Sequence, residues 1–190
     1  MRCAASALVM LLLTAGAGAA ADFVPLRGEQ AMPFKFDAEN GYFQQQVVDA
    51  TCPANALRTR VHFIRLGKPG SGWRPRATIM LKFGGSFAVF YLSAKTFEPP
   101  LGAHIGTYTN EKQTSGADFT ATFGMDDHVP VLVAWTRKGD VSVTVGDETR
   151  TMHMKVPVDS VFLSGSAGAG EFDPVEIGRI GGESGTNACP

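Results

Sequence analysis

Hydrophobic and polar residues alternate one by one along much of this chain. In VSVTV (141–145), Val141, Val143 and Val145 fall on one side and Ser142 and Thr144 on the other. That period of two is the mark of a half-buried strand. DFTATFGM (118–125) repeats it and predicts Phe119, Ala121, Phe123 and Met125 facing inward. VPVLVAWT (129–136) is apolar on both parities and rich in valine, so it reads as a central strand, with Trp135 in the core beside Val131 and Val133. A short turn containing Gly139 joins it to 141–145 as a hairpin, and Gly146-Asp147-Glu148 turns the chain again into TRTMHMKV (149–156). Three strands linked by tight turns make a meander.

Upstream, RVHFIRL (60–66) and ATIMLKF (77–83) read as strands separated by GKPGSGWRP (67–75), a run of turn formers. Gly84-Gly85 leads into SFAVFYLSA (86–94), and AMPFKFDA (31–38) and GYFQQQVVD (41–49) are further strands. LSGSAGAGE (163–171) reads as a small-residue loop, and EFDPVEIGRI (171–180) as a closing strand with Pro174 at a bulge or an edge. The stretch from Asp22 to Glu29 is an arm, ordered if it adds a strand. About eleven short strands with no βαβ alternation predict an all-β fold, an antiparallel β-sandwich. No fixed-period repeat or low-complexity linker divides it.

The first 21 residues depart from this pattern. Arg2 precedes an apolar run from Ala7 to Leu13, and Ala19-Ala20-Ala21 precedes Asp22. This is the layout of a cleavable signal peptide ending near Ala21, and the apolar run is too short for a membrane span. Residues 22–190 then form the single sandwich domain, with no later segment apolar and long enough to span a bilayer. The protein is expected to be periplasmic or secreted. The leader carries one base and no acid, so its removal takes the formal charge one unit below −1. That balance offers no basic footprint for nucleic acid. Cleavage also removes Cys3 and leaves Cys52 and Cys189, an even pair that an oxidising compartment favours as a disulfide. Closing so long a loop is worth on the order of 4–5 kcal/mol in the chain-entropy picture.

VLVAWTRKGDVSVTVGDETRTMHM, followed by FLSGSAGAGEFDPVEIG, resembles the laminin G-like and concanavalin A-like jelly-roll sandwiches. The resemblance lies in an aromatic-bearing strand before a Gly-Asp turn, a valine-alternating strand, and a late strand ending at Gly178. It covers roughly 131–180, and elsewhere rests on strand number and length. It implies two stacked antiparallel sheets, one of them concave, in the manner of lectins and glucanases. It also implies a sugar or protein ligand, and in some members glycosidase activity or a calcium site.

Candidate chemistry lies in four places. Glu171, Asp173 and Glu176 fit the acidic motif of jelly-roll glucanases, one glutamate as nucleophile and the other as acid/base. Pro174 and the short chain after Glu176 count against that reading, which leaves a solvent-facing acidic edge. Asp126 and Asp127 bring hard oxygen ligands for calcium or form a turn in which they bind backbone amides. His62, His104 and His153 are too scattered for a zinc site. Trp73, between turn residues and beside Arg74 and Arg76, offers an indole face for a sugar ring with guanidinium groups for its hydroxyls or carboxylates. Tyr108 and Asn110 add polar contacts, while a Trp73 packed on the sandwich end would be structural. Three functions follow: an exported, non-enzymatic binding module for a glycan or an envelope or extracellular protein, needing no cofactor; a glycoside hydrolase using Glu171 and Glu176; and a structural envelope protein.

Overall fold

The computed structural model describes residues 23–26, 32–48, 54–69, 72–136, 138–154, 158 and 160–180. Every regular element among them is a strand: β1 (Phe23–Pro25), β2 (Phe34–Val48), β3 (Ala56–Leu66), β4 (Arg76–Phe83), β5 (Ser86–Ala94), β6 (Leu101–Thr109), β7 (Lys112–Phe123), β8 (Val129–Trp135), β9 (Asp140–Val145), β10 (Glu148–His153), β11 (Ser160–Phe172) and β12 (Glu176–Ile180). All pairings are antiparallel. The hydrogen-bonded order is β10-β9-β8-β3-β11-β4-β5-β6-β7. Its two ends meet again, because Glu148 of β10 accepts the Thr120 amide of β7 at 2.7 Å. The path therefore folds into two layers that enclose the core.

β11 carries the fold from one layer to the other. Its first half, to Ser166, pairs with β4, and its second half, from Gly168, pairs with β3. The corner falls at Ala167, which has a positive φ. β2 follows along the other edge and makes the same corner by looping out residues 39–42, between partners Ala38 and Phe43. The sequence alone suggested a loop at 163–171, and the structure corrects this. The small residues are there because β11 lies against aromatic rings. A Cβ on Gly165 would land on the ring of Phe36, so only glycine keeps both the strand and the ring in place.

Phe34, Phe36, Phe63 and Phe172 form an aromatic cluster at this corner, with ring centroids 5.8 Å apart for Phe34 and Phe172 and for Phe36 and Phe63. The rest of the core follows the alternation. Ile79, Leu81, Phe90, Leu92, Ile105, Val133, Val143, Val145 and Leu163 are all buried, as is Trp135. β8 is an interior strand between β3 and β9, although its outer parity is only half-covered and Pro130 is exposed.

Three local readings change. Ala121 is exposed rather than inward, because a register shift leaves 119–121 opposite Ala103 alone. Residues 101–109 and 112–117, with no clear apolar alternation, are nonetheless strand. The closing segment is two strands, since β11 stops at Phe172 and β12 starts at Glu176 with Pro174 between them. The N-terminal arm does add a strand, as Phe23–Pro25 pairs with β12. Residues 1–21, Cys52 and Cys189 lie outside the described residues.

Candidate functional site

Register across the second layer puts one residue from each strand into a lateral row on its outer face. Thr78 of β4 faces Tyr91 of β5, Tyr91 faces His104 of β6, and His104 faces Asp118 of β7. The row continues the other way through Ser164 of β11 to Gln45 of β2. One step along the strands, Phe43, Ser166, Arg76 and Ser93 form a second row. Directly paired residues share a face; their inner neighbours (Ala77, Leu92, Ile105) are buried, as are Ser93 and Ser166 of the second row.

The side chains in these rows are in contact. The Arg76 guanidinium lies over the Tyr91 ring, 4.6 Å from its centroid. Tyr91 stacks on His104 with centroids 4.9 Å apart. His104 Nδ1 bonds to Asp118 Oδ1 at 2.7 Å, and Gln113 Nε2 lies 3.4 Å from His104 Nε2. The pattern fits Nδ1–H donating to the carboxylate and Nε2 accepting from the amide. A side chain on Gly116 would collide with Gln113 and come within 3.0 Å of the His104 ring, so that glycine keeps the imidazole against the sheet. The hydrogen bond from His104 holds the Asp118 carboxyl below the usual aspartate range, against the opposing effect of burial and with help from the nearby Lys95 charge. Burial pushes the Tyr91 hydroxyl up, and Arg76 and Arg74 partly oppose it.

Of the residues singled out from sequence, Trp73, Arg74 and Arg76 lie where the chain enters β4. Trp73 is 48% exposed, with its ring 5.8 Å from that of Phe43. Arg74 is exposed, and its carbonyl accepts from the Ser166 hydroxyl at 3.1 Å. Tyr108 lies on β6 rather than in a loop, stacked on Phe87 at 5.1 Å and donating to Gln113 at 3.3 Å. The structure thus brings Trp73, Arg76 and Tyr108 onto one face. Asn110 sits at the β6–β7 turn with φ +49°, beyond the end of the rows. Sequence reasoning missed Phe43, Tyr91, His104 and Asp118. Their signal was present: Phe87 and Tyr91 share a parity in 86–94, and His104 and Tyr108 share one in 101–109.

The three acidic residues lie in the other layer. Glu171 is 3.6 Å from Lys35 and 3.8 Å from His62, and Arg58 donates to Glu176 at 2.7 Å. Their partners His62 and Arg58 stand four residues apart on β3, about 13 Å at strand rise. Paired glycosidase carboxylates stand roughly 5–10 Å apart, and the structure does not set these two side by side. Asp173 follows the end of β11, where its carbonyl accepts from Arg60 at 3.3 Å. Asp127 accepts the Gly124 amide at 2.6 Å, a turn-closing bond. Among the described residues no group of three or more His, Cys, Asp or Glu is arranged to hold a metal ion. An open depression of about 360 Å³ is lined by Asp37, Glu39, Tyr42 and Phe43. Another of about 550 Å³ lies over Arg58, Arg60, Leu132 and Glu176. Neither includes Tyr91 or His104; the His104 side chain is 15% exposed and that of Asp118 74%.

No protein-family model and no curated protein matches this chain. Solved structures do. The carbohydrate-binding module CBM66 from Bacillus subtilis superposes with a TM-score of 0.55 at 10% identity, covering 84% of this chain and 92% of that one. The Crh5 transglycosylase in complex with NAG gives 0.58 at 10% identity, over 78% and 72%. A native glycosidic hydrolase gives 0.50 at 8% identity, over 80% and 93%. Likeness at this identity is one of fold. The fold is the antiparallel jelly-roll sandwich of the concanavalin A-like kind, as the resemblance in sequence implied.

Proposed function

We propose that this protein is an exported glycan-binding module whose ligand lies across the outer face of β2, β11 and β4–β7, over Tyr91 and His104. The observation that carries this reading is the continuous run Arg76, Tyr91, His104, Asp118, with the Phe43–Trp73 ring pair at its edge. Sugar rings offer apolar C–H faces and a rim of hydroxyls. They are matched by exposed aromatic faces beside fixed donors and acceptors. Here Phe43, Arg76, Tyr91, His104 and Asp118 stand on hydrogen-bonded strands, so little ordering entropy is lost on binding. A carbohydrate-binding module among the similar folds is in keeping with this.

Binding is tested by a glycan array and affinity electrophoresis on the wild type and Tyr91→Ala. Removing Tyr91 takes away its hydroxyl and the ring that Arg76 and His104 pack against, roughly 1.5 kcal/mol, about tenfold in affinity. Retained glycans that are indifferent to Tyr91→Ala would move the site off this face, and a blank array would remove the glycan reading.

Export rests on the leader pattern of residues 1–21. The protein recovered from the periplasm or medium should have the mass of residues 22–190, two hydrogens short of the reduced value through a Cys52–Cys189 bridge. An uncleaved chain would refute export by this leader, and two alkylatable thiols would refute the bridge.

A further inference from the structure

We infer that the ligand of this face is an acidic glycan, and that a uronate carboxylate pairs with Arg76. The inference rests on the glycan reading above and narrows it to a chemical class.

Among the described residues Arg76 has no acidic partner, unlike Arg58, Arg65 and Arg150. Arg58 is bound to Glu176 at 2.7 Å and Arg65 to Asp37 at 2.5 Å. Arg150 pairs with Glu148, and Arg60 donates to the Asp173 carbonyl. Arg76 has the Tyr91 ring beneath it, and its Nε is buried with no acceptor. Stacking fixes the guanidinium plane without neutralising the charge. Arg74 follows Trp73 directly and acts electrostatically on the same Tyr91 hydroxyl. The carboxylate in the row, Asp118, is committed to His104. Lys82 adds a third cation on the outer parity of β4, level with Phe87. A chain with formal net charge −1 thus gathers on its aromatic face cations that no described carboxylate pairs.

A sugar ring seated on the exposed Phe43–Trp73 pair, in the same row as Arg76, takes further water from that guanidinium. A neutral sugar would leave a partly desolvated cation with hydroxyl partners alone, and desolvated charges require compensation. A carboxylate supplies it and matches the planar fork of a guanidinium with two parallel hydrogen bonds. The ligand class that satisfies both halves of the site is a sugar carrying its own carboxylate.

The experiment compares three probes on the intact mature protein by calorimetry. They are tetrasaccharides of galacturonate, glucuronate and mannuronate; the same oligosaccharides with their carboxyls reduced to alcohols; and dextran sulfate. At least one uronate should bind ten or more times tighter than its reduced counterpart. Arg76→Gln should abolish that preference, Arg76→Lys should keep part of it, and Arg179→Gln, on β12 of the other layer, should leave it unchanged. Equal binding of uronates and reduced sugars, still sensitive to Tyr91→Ala, would overturn the acidic ligand and leave the glycan reading standing. Dextran sulfate binding as well as the uronates, with neither responding to Arg76→Gln, would also overturn it, as general polyanion attraction. No binding to any saccharide here or on the array would sink both readings.

Discussion

Phe172→Ala is expected to lower the unfolding free energy by about 3–5 kcal/mol, as losing a fully buried aromatic ring does. Phe172 is 0% exposed and closes the second half of β11. Its ring stacks on Phe34 at 5.8 Å and tilts against Phe36 at 6.2 Å. The cost should reach this range because the space cannot collapse. Here β11 is hydrogen-bonded to β2 on one edge and β3 on the other, and the surrounding rings are held by strands of their own. Guanidinium unfolding of the wild type and variant measures the difference directly. A loss below about 1 kcal/mol would mean that the ring is not packed as described, since even an Ile→Val change in a core costs about that much.

How much was legible in advance depended on whether a strand has one face wet and one dry. Residues 141–145 have that contrast, and their inward parity matches the buried residues; 129–135, apolar on both parities, still bury the side of Val131, Val133 and Trp135 that was expected to face the core. β6 lacks it. Its inner side carries Leu101, Ala103, Ile105 and Thr107, and its outer side Gly102, His104, Gly106 and Tyr108. The outer side mixes glycine with the site residues, so the period of two is hidden. β11 fails for another reason. It faces rings, needs glycine to let them in, and so resembles a flexible loop in composition. Turning points were also invisible, because the register shifts at Ser166/Gly168 and Gly102/His104 come from the pairing of distant segments.

The site was legible in its parts and not in its assembly. Trp73 and Arg76 stood out as an aromatic beside cations, and they do border the candidate face. Tyr91, His104 and Asp118 come from three strands, and no linear spacing encodes a lateral row. The acidic residues show the converse. Glu171, Asp173 and Glu176 are neighbours in sequence, yet the chain breaks at Pro174 and the glutamates pair with different levels of β3.

Gly165→Ala should destabilise the fold by about 1–3 kcal/mol, although glycine in a strand interior is otherwise about 0.5–1 kcal/mol worse than alanine. The overlap decides the sign. The added methyl meets Cγ and both Cδ atoms of Phe36, the root of the ring rather than its tip, so rotation about χ2 cannot clear it. Phe36 cannot retreat either, because Phe63 meets it edge-on at 5.8 Å and Phe172 lies beyond. A double-mutant cycle isolates this contact. In a Phe36→Ala background the ring is gone, and Gly165→Ala should become neutral or stabilising by a few tenths of a kcal/mol or more. An unchanged cost in both backgrounds would place the strain in the backbone of β11 instead. Gly165 lies between Ser164 and Ser166, whose β4 partners are Thr78 and Arg76. A methyl that pushes β11 outward would therefore shift the rows through Arg76 and Tyr91. The single variant should weaken glycan binding along with stability, and Phe36→Ala should restore the binding while leaving the protein less stable than the wild type.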